Sequence, residues 1–281
     1  MTPRTMIGAL LGVLVIVVAV ASPRIWDQVQ ARTGWALPER TGPPLRIIAH
    51  HGDLDDYPEN TLESFLAAAA LGPDGIEVDV HASASGTWYV IHDSNLDRTT
   101  DGHGSIATLS DEVIDAAVID GGAGRQLDPH SPLHIPRLDT VLAGLRGFDG
   151  TIYLDLQHAE SGDAASLLDL TDGMRVAIIC RSSADAEAVK ARDPRVETLL
   201  SVAHPASAAV DGLIGDASLH ASPRMMAGWK LPLTVYVDES QFDQDEFGLL
   251  RLAWASGVEA FITNHLKAAL AARDTFEQSA P

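Results

Sequence analysis

From Leu45 onward the chain repeats one rhythm, a short β-branched run followed by a helical pattern. The strand candidates are "LRIIA", "GIEVDV", "WYVIH", "TIYLDL", "RVAIIC", "VETLLSV", "PLTVYV" and "AFIT". Stretches such as "ENTLESFLAAAALG" and "EFGLLRLAWASG" fall after several of them and carry the apolar spacing of a helix. Eight strands separated mostly by helices over about 230 residues match a single (β/α)8 TIM barrel in size and rhythm. A doubly wound open sheet is the rival. It calls for a glycine-rich dinucleotide turn after the first strand, and "AHHGDLD" is not one. The expected barrel domain covers residues 45–275. Asn60 and Glu63 read as a capping pair for the first helix, and Gly72 as its end. Residues 97–140 make a long connection after the third strand, a length typical of lids and insertions. Residues 216–222 are a further irregularity.

Charge narrows the partners. The formal net charge is −20, from 39 acids and 19 bases, and the lysines are only Lys190, Lys230 and Lys267. Such a surface repels a nucleic-acid polyanion, and an anionic substrate needs a bound metal or a few placed cations. The single cysteine, Cys180, excludes an intramolecular disulfide and a cysteine metal cluster. Its place in the apolar run "VAIIC" marks a buried structural thiol. Ahead of the barrel, residues 6–22 carry no charge and follow Arg4. Residues 1–23 thus read as a signal peptide, with Ala19-Val20-Ala21 as a cleavage site, or as an uncleaved membrane anchor. Both readings put the rest of the chain outside the cytoplasm, tethered through residues 6–22 or secreted. Residues 24–44 read as a linker.

In a barrel of this type the C-terminal ends of the strands line the active site. Those ends carry His50 and His51, Glu77 and Asp79, His92 and Asp93, and Asp155 and Gln157. In "GIEVDV" the period-2 geometry turns Glu77 and Asp79 to one face, the interior or its mouth, while Val78 and Val80 face the helices. Two carboxylates pressed together repel unless a cation sits between them. With Asp155 they form a hard-cation site for Mg²⁺ or Ca²⁺. The competing role for these acids is pairing with arginines, or lying on a solvated edge. His50 and His92, in the same mouth, suit general acid and base work near neutral pH. Zinc is the competing use of histidine with carboxylate, although no H-E-x-x-H or H-x-H spacing occurs.

The segments "AHHGDLDDYPENTLESF", "GIEVDVHASASGTWYVIHDSNLDRTTDGHGSI" and "YLDLQ" resemble the glycerophosphodiester phosphodiesterase family. The similarity runs over nearly all of Ile47–His265 and is densest over Ile47–Ile106. The resemblance implies a (β/α)8 barrel that hydrolyses glycerol-linked or lipid-derived phosphodiesters with one divalent cation. It makes His50 and His92 the acid–base pair, and Glu77 and Asp79 metal ligands. Asp155 stands where the family usually has a third, glutamate ligand. Glu59 becomes an outer acid near the first histidine, with capping of the helix start as its structural alternative. Asp93 and the Asp97–Asp101 loop match the family and read as loop architecture rather than chemistry.

The departures bear on how a phosphate is held. His51 occupies the position of the family's phosphate-binding arginine, and Gln157 that of its lysine, so both are assigned to substrate binding. Protonated His51, with His158 near in sequence, restores part of the missing charge. The final acid–proline pair is Asn264-His265 here. Loss of two cations also fits a weakened barrel that binds a phosphorylated ligand or partner without turnover. The aspartate ligand is similar to that of spider-venom phospholipase D lyases, which implies a cyclic phosphate product as a further alternative.

Overall fold

The computed structural model describes residues 44–125, 132–157, 164–201, 209–216, 231–236 and 246–279. The apolar run at 6–22, most of the linker, His158 and residues 217–222 lie outside them. Among the described residues no helix is long and apolar enough to cross a membrane.

Among the described residues the nine strands are β1 (Arg46–Ala49), β2 (Gly75–Ala82), β3 (Trp88–Val90), β4 (Thr151–Leu156), β5 (Val176–Cys180), β6 (Glu197–Ser201), β7 (Gly212–Asp216), β8 (Leu233–Tyr236) and β9 (Ala260–Thr263). The helices are α1 (Leu62–Leu71), α2 (Asp111–Ala116), α3 (Leu138–Gly144), α4 (Ser183–Arg192), α5 (Glu246–Ser256) and α6 (Leu266–Ser279). All strands but β3 pair in parallel, and β1 joins both β2 and β9, so eight staves close into a barrel. Two sequence expectations change here. "WYVIH" is no stave: β3 turns back antiparallel on β2, with Val80 opposite Val90. The eighth stave is instead β7, in "DGLIGD", whose last residue Asp216 is the first of the segment read as irregular.

Side-chain alternation builds two layers of core. Ile47, Val78, Val80, Leu154, Ile178 and Phe261 point out to the helices. Ile48, Tyr153, Ala177, Ile179, Leu199 and Ile262 fill the barrel interior. Burying one such aliphatic side chain contributes about 1.5–3 kcal/mol. The inner columns rise towards the mouth, where apolar residues give way to polar ones: Ile48 to His50, Tyr153 to Asp155, Ile262 to Asn264.

The first helix starts one residue later than the sequence reading has it. Thr61 is the N-cap, its hydroxyl accepting from Ser64 N at 3.1 Å, while Asn60 sits in the left-handed region at φ 56°. Gly72 ends the helix at φ 70°, as expected. The long connection after β3 is an insertion with its own apolar cluster, built on Tyr89, Leu96, Ile106, Ile114 and Ile135. Cys180 is buried, and burial pushes its thiol up to about 12.

Candidate active site

Register brings the acids together. Asp79 pairs with Asp155 across β2 and β4, and Glu77 lies one inward-facing step below on β2. One oxygen from each of Glu77, Asp79 and Asp155 falls within 4.8 Å of the others. Glu77 and Asp79 are buried, and Asp155 is nearly so.

Their proton affinities register the crowding. Burial and repulsion from Asp79 raise Glu77 well above the usual carboxylate range. Burial also lifts Asp155 to about 7, against the pull of Arg181. Burial works against Asp79 too, but His51 and Asn60 overrule it and hold Asp79 low. Glu77 Oε1 is buried with no hydrogen-bond partner among the described residues. Three oxygen donors, repulsion and an orphaned carboxylate oxygen fit a hard divalent cation. His50, His51 and Glu77 form a second candidate group. There His51 is committed elsewhere, which disfavours the histidine-rich set.

His51 is fully buried and does not line the cavity. Its Nε2 lies 2.9 Å from Asp79 Oδ2 and 3.6 Å from Glu77 Oε2, with Nδ1 3.6 Å from Glu59 Oε2. Burial disfavours its charge, yet the carboxylates outweigh burial and raise its pKa well above 6.5. The expected role of gripping substrate phosphate does not suit this position. His51 is an internal counter-cation beneath the acids. Its backbone is left-handed, φ 54°, which brings its N–H to 3.3 Å from Glu77 Oε2.

His50 and His92 both face the cavity, each with Nδ1 engaged. His50 Nδ1 donates to Asn264 Oδ1 at 2.6 Å, which leaves Nε2 as the acceptor, 4.0 Å from Glu77 Oε2. Burial and the neighbouring His51 charge lower His50 to about 3, so it is neutral. His92 Nδ1 donates to Asp93 Oδ1 at 2.8 Å. Arg98 holds both Asp93 oxygens at 2.9 Å and reaches Glu59 Oε1 at 2.6 Å. Asp93 and Arg98 therefore orient a site histidine, contrary to the reading of this loop as architecture alone. Glu59 does not cap the helix. It anchors Arg98, accepts from Ala123 N at 2.5 Å, and lies beside His51 rather than His50.

Gln157 donates from Nε2 to Asp79 Oδ1, and Asn60 Nδ2 to Asp79 Oδ2 at 2.7 Å. Arg181 donates from Nη2 to Asp155 Oδ1 at 2.7 Å. His50, Glu77, His92, Asp155, Gln157 and Arg181 line a cavity of about 410 Å³ together with Ser201, Ile179, Ile214, Tyr236 and Ile262. The sequence reading missed Arg181, and it took Asn264 only as a change in the final acid–proline pair and Asn60 only as a helix cap. Arg181 and Asn264 follow the runs "VAIIC" and "AFIT", so the strand-end rule extended to later strands would have found both. Nothing in the local sequence marks Asn60 as a partner of Asp79.

Comparison with known proteins agrees with this geometry. The sequence profile of the glycerophosphoryl diester phosphodiesterase family matches residues 50–208. A glycerophosphodiester phosphodiesterase of Caldanaerobacter subterraneus subsp. tengcongensis is 47% identical over 68 residues, 24% of this chain and 28% of that one. The matches span less than half the length of the curated relatives. Among solved structures, a glycerophosphodiester phosphodiesterase from Agrobacterium tumefaciens superposes with TM-score 0.65 at 26% identity, covering 80% of this chain and 99% of that one. A phosphodiesterase from Oleispira antarctica, in complex with the product sn-glycerol-3-phosphate, superposes with TM-score 0.68 at 21% identity, covering 85% and 97%. At that identity the likeness concerns the fold.

Proposed function

The chain belongs to the glycerophosphoryl diester phosphodiesterase family, and from that premise we propose that it hydrolyses glycerophosphodiesters to an alcohol and a phosphomonoester such as sn-glycerol 3-phosphate. One divalent cation, Mg²⁺ or Ca²⁺, would be held by Glu77, Asp79 and Asp155. When bound it supplies polarisation of the phosphoryl oxygen and neutralises charge in the transition state. His50 is the general base: with Nδ1–H committed to Asn264, its Nε2 accepts the proton of the attacking water. His92 is the general acid: Asp93 stabilises its imidazolium, and Nε2–H delivers the proton to the departing alkoxide. The water oxygen forms the new bond to phosphorus as the ester oxygen leaves with that proton.

The observation that carries this reading is the pairing of two histidines, each fixed through Nδ1, with three carboxylates around one cavity. A barrel that only binds a phosphorylated ligand has no need for both histidines to be oriented. Phosphorus NMR of the purified protein with glycerophosphodiesters, with and without Mg²⁺ or Ca²⁺, tests it. A cation-dependent phosphomonoester signal is the expected result. A cyclic phosphate signal would make the protein a lyase, and an unchanged diester would leave it a binder. The uncharged stretch at 6–22 supports a barrel exported from the cytoplasm, tethered or secreted. Fractionation of producing cells checks that location, and recovery in the soluble cytoplasmic fraction would overturn it.

A further inference from the structure

The geometry points to Arg181 as the residue that grips the substrate's phosphoryl group, supplied by the strand beside the one that carries Asp155. This deepens the phosphodiesterase reading and rests on it. Asp155 on β4 pairs with Ile179 on β5. Two residues further along each strand, that register sets Gln157 and Arg181 abreast, about 4.8 Å apart as neighbouring strands are. Along β5 the residues alternate, Ala177 and Ile179 inward, Ile178 and Cys180 outward. Position 181 therefore continues the inward column, and Arg181 lines the cavity with both histidines.

Among the described residues lining that cavity, Arg181 is the one arginine or lysine. Arg98 lies close by but is spent on Glu59 and Asp93. The charges explain why a cation is required there. The carboxylates of Glu77 and Asp155 that line the cavity repel a monoanionic diester unless a cation faces it there. Arg181 adds the missing positive charge at the rim.

The side chain is also prepared for the task. Its Nε donates to Leu156 O and Nη2 to Asp155 Oδ1. Those anchors use two of five N–H groups, and the remaining three have no partner among the described residues. A planar fork held along one edge presents the other to two phosphoryl oxygens, a match a lysine cannot make. The turn behind it is fixed by a capping box, Ser182 accepting from Asp185 N at 3.2 Å and donating from its own N to Asp185 Oδ2 at 2.9 Å.

Arg181 has a second role, as partner of Asp155, so the test must separate the two. Binding of inorganic phosphate and the kinetics of glycerophosphodiester cleavage are measured at saturating Mg²⁺ or Ca²⁺ in wild type, Arg181→Gln, Arg181→Lys and Arg181→Gln/Gln157→Lys. Cation affinity is measured on each by calorimetry. Loss of a charge-assisted hydrogen bond predicts phosphate affinity roughly ten- to a hundredfold weaker in Arg181→Gln. KM should rise at least as much as kcat falls, with an intermediate effect in Arg181→Lys. Gln157→Lys, which returns a cation one strand over, should recover most of the affinity. A purely structural arginine predicts weaker cation binding, no phosphate effect once the cation is saturating, and no rescue. Phosphate affinity and KM within twofold of wild type in folded Arg181→Gln, or in Arg181→Lys should the glutamine variant not fold, overturn the assignment. Wild type that binds phosphate through Arg181 but cleaves no diester would overturn the proposed hydrolysis and leave this inference standing.

Discussion

His50 and His92 differ in what stands behind them, and that difference is measurable. A neutral amide backs His50, whereas a carboxylate braced by Arg98 backs His92. Replacing either with alanine should lower turnover of an alkyl diester by roughly 10²–10⁴. A p-nitrophenyl diester separates them, because its leaving oxygen needs no proton. On that substrate His92→Ala should lose little while His50→Ala loses as before. Asp93→Asn should follow the His92 pattern at smaller size, roughly ten- to a hundredfold, as outer partners of functional groups do. Equal losses for both histidine variants on both substrates would remove this division of roles, and a small loss confined to His50→Ala on the p-nitrophenyl diester would exchange them. Glu77, Asp79 and Asp155 were legible in the sequence because period-2 alternation fixes which way a strand residue points. His51 was not legible in the same way. Its left-handed backbone at φ 54° breaks the strand alternation there and turns it beneath the acids.

At the scale of the elements, the site hangs on how α1 is anchored above β1. Thr61 caps α1 while Asn60, next to it, holds Asp79. Thr61→Ala should cost about 1 kcal/mol of stability, a normal cap loss. Phe65, fully buried beneath the same helix, should cost about 3–5 kcal/mol as alanine. Chemical denaturation checks both. A Thr61→Ala loss above that of Phe65→Ala would mean the α1 start carries more than a cap. The barrel rhythm was readable because a parallel crossover usually carries a helix, and helices left their pattern between most strand runs. The two misplaced staves have physical reasons. Only Ser83–Thr87 lie between "GIEVDVHA" and "WYV", too short for a parallel crossover, and Gly86 at φ 81° makes a tight return. That signal for a hairpin was present and outweighed by the aromatic, β-branched composition of "WYVIH". The true eighth stave, "GLIGD", has two glycines in five residues, which depresses any strand signal.

For the whole molecule, the acidic cluster couples stability to cation and proton. In the cation-free protein the folded-state pKa values of Glu77 and Asp155 lie above their ordinary values, Asp155 at about 7. Between about pH 4 and 7 these two acids bind more protons in the folded state than in the unfolded chain, and their contribution to stability falls as pH rises through that window. His50, lowered to about 3, acts the opposite way between about pH 3 and 6.5 and offsets part of it. His51, raised from 6.5, continues the trend of the two acids at higher pH. Asp79 is shifted the opposite way, and its effect lies below about pH 4. A bound cation replaces those protons, so its stabilisation should grow over the same window and be largest above pH 7. With free cation at a hundred times Kd the gain is about 2.7 kcal/mol. For a barrel of this size that corresponds to a Tm rise of roughly 5–10 °C. Calorimetric scans at pH 5 and pH 7.5, with chelator or with excess Mg²⁺ or Ca²⁺, should show a small difference at the lower pH and the full one at the higher. Glu77→Gln/Asp79→Asn protein should show no cation-dependent difference at either pH, because its repulsion and its ligands are gone together. A Tm that ignores chelator at pH 7.5 would mean these acids are neutralised from within, by His51 and Arg181 and shared protons, and hold no ion.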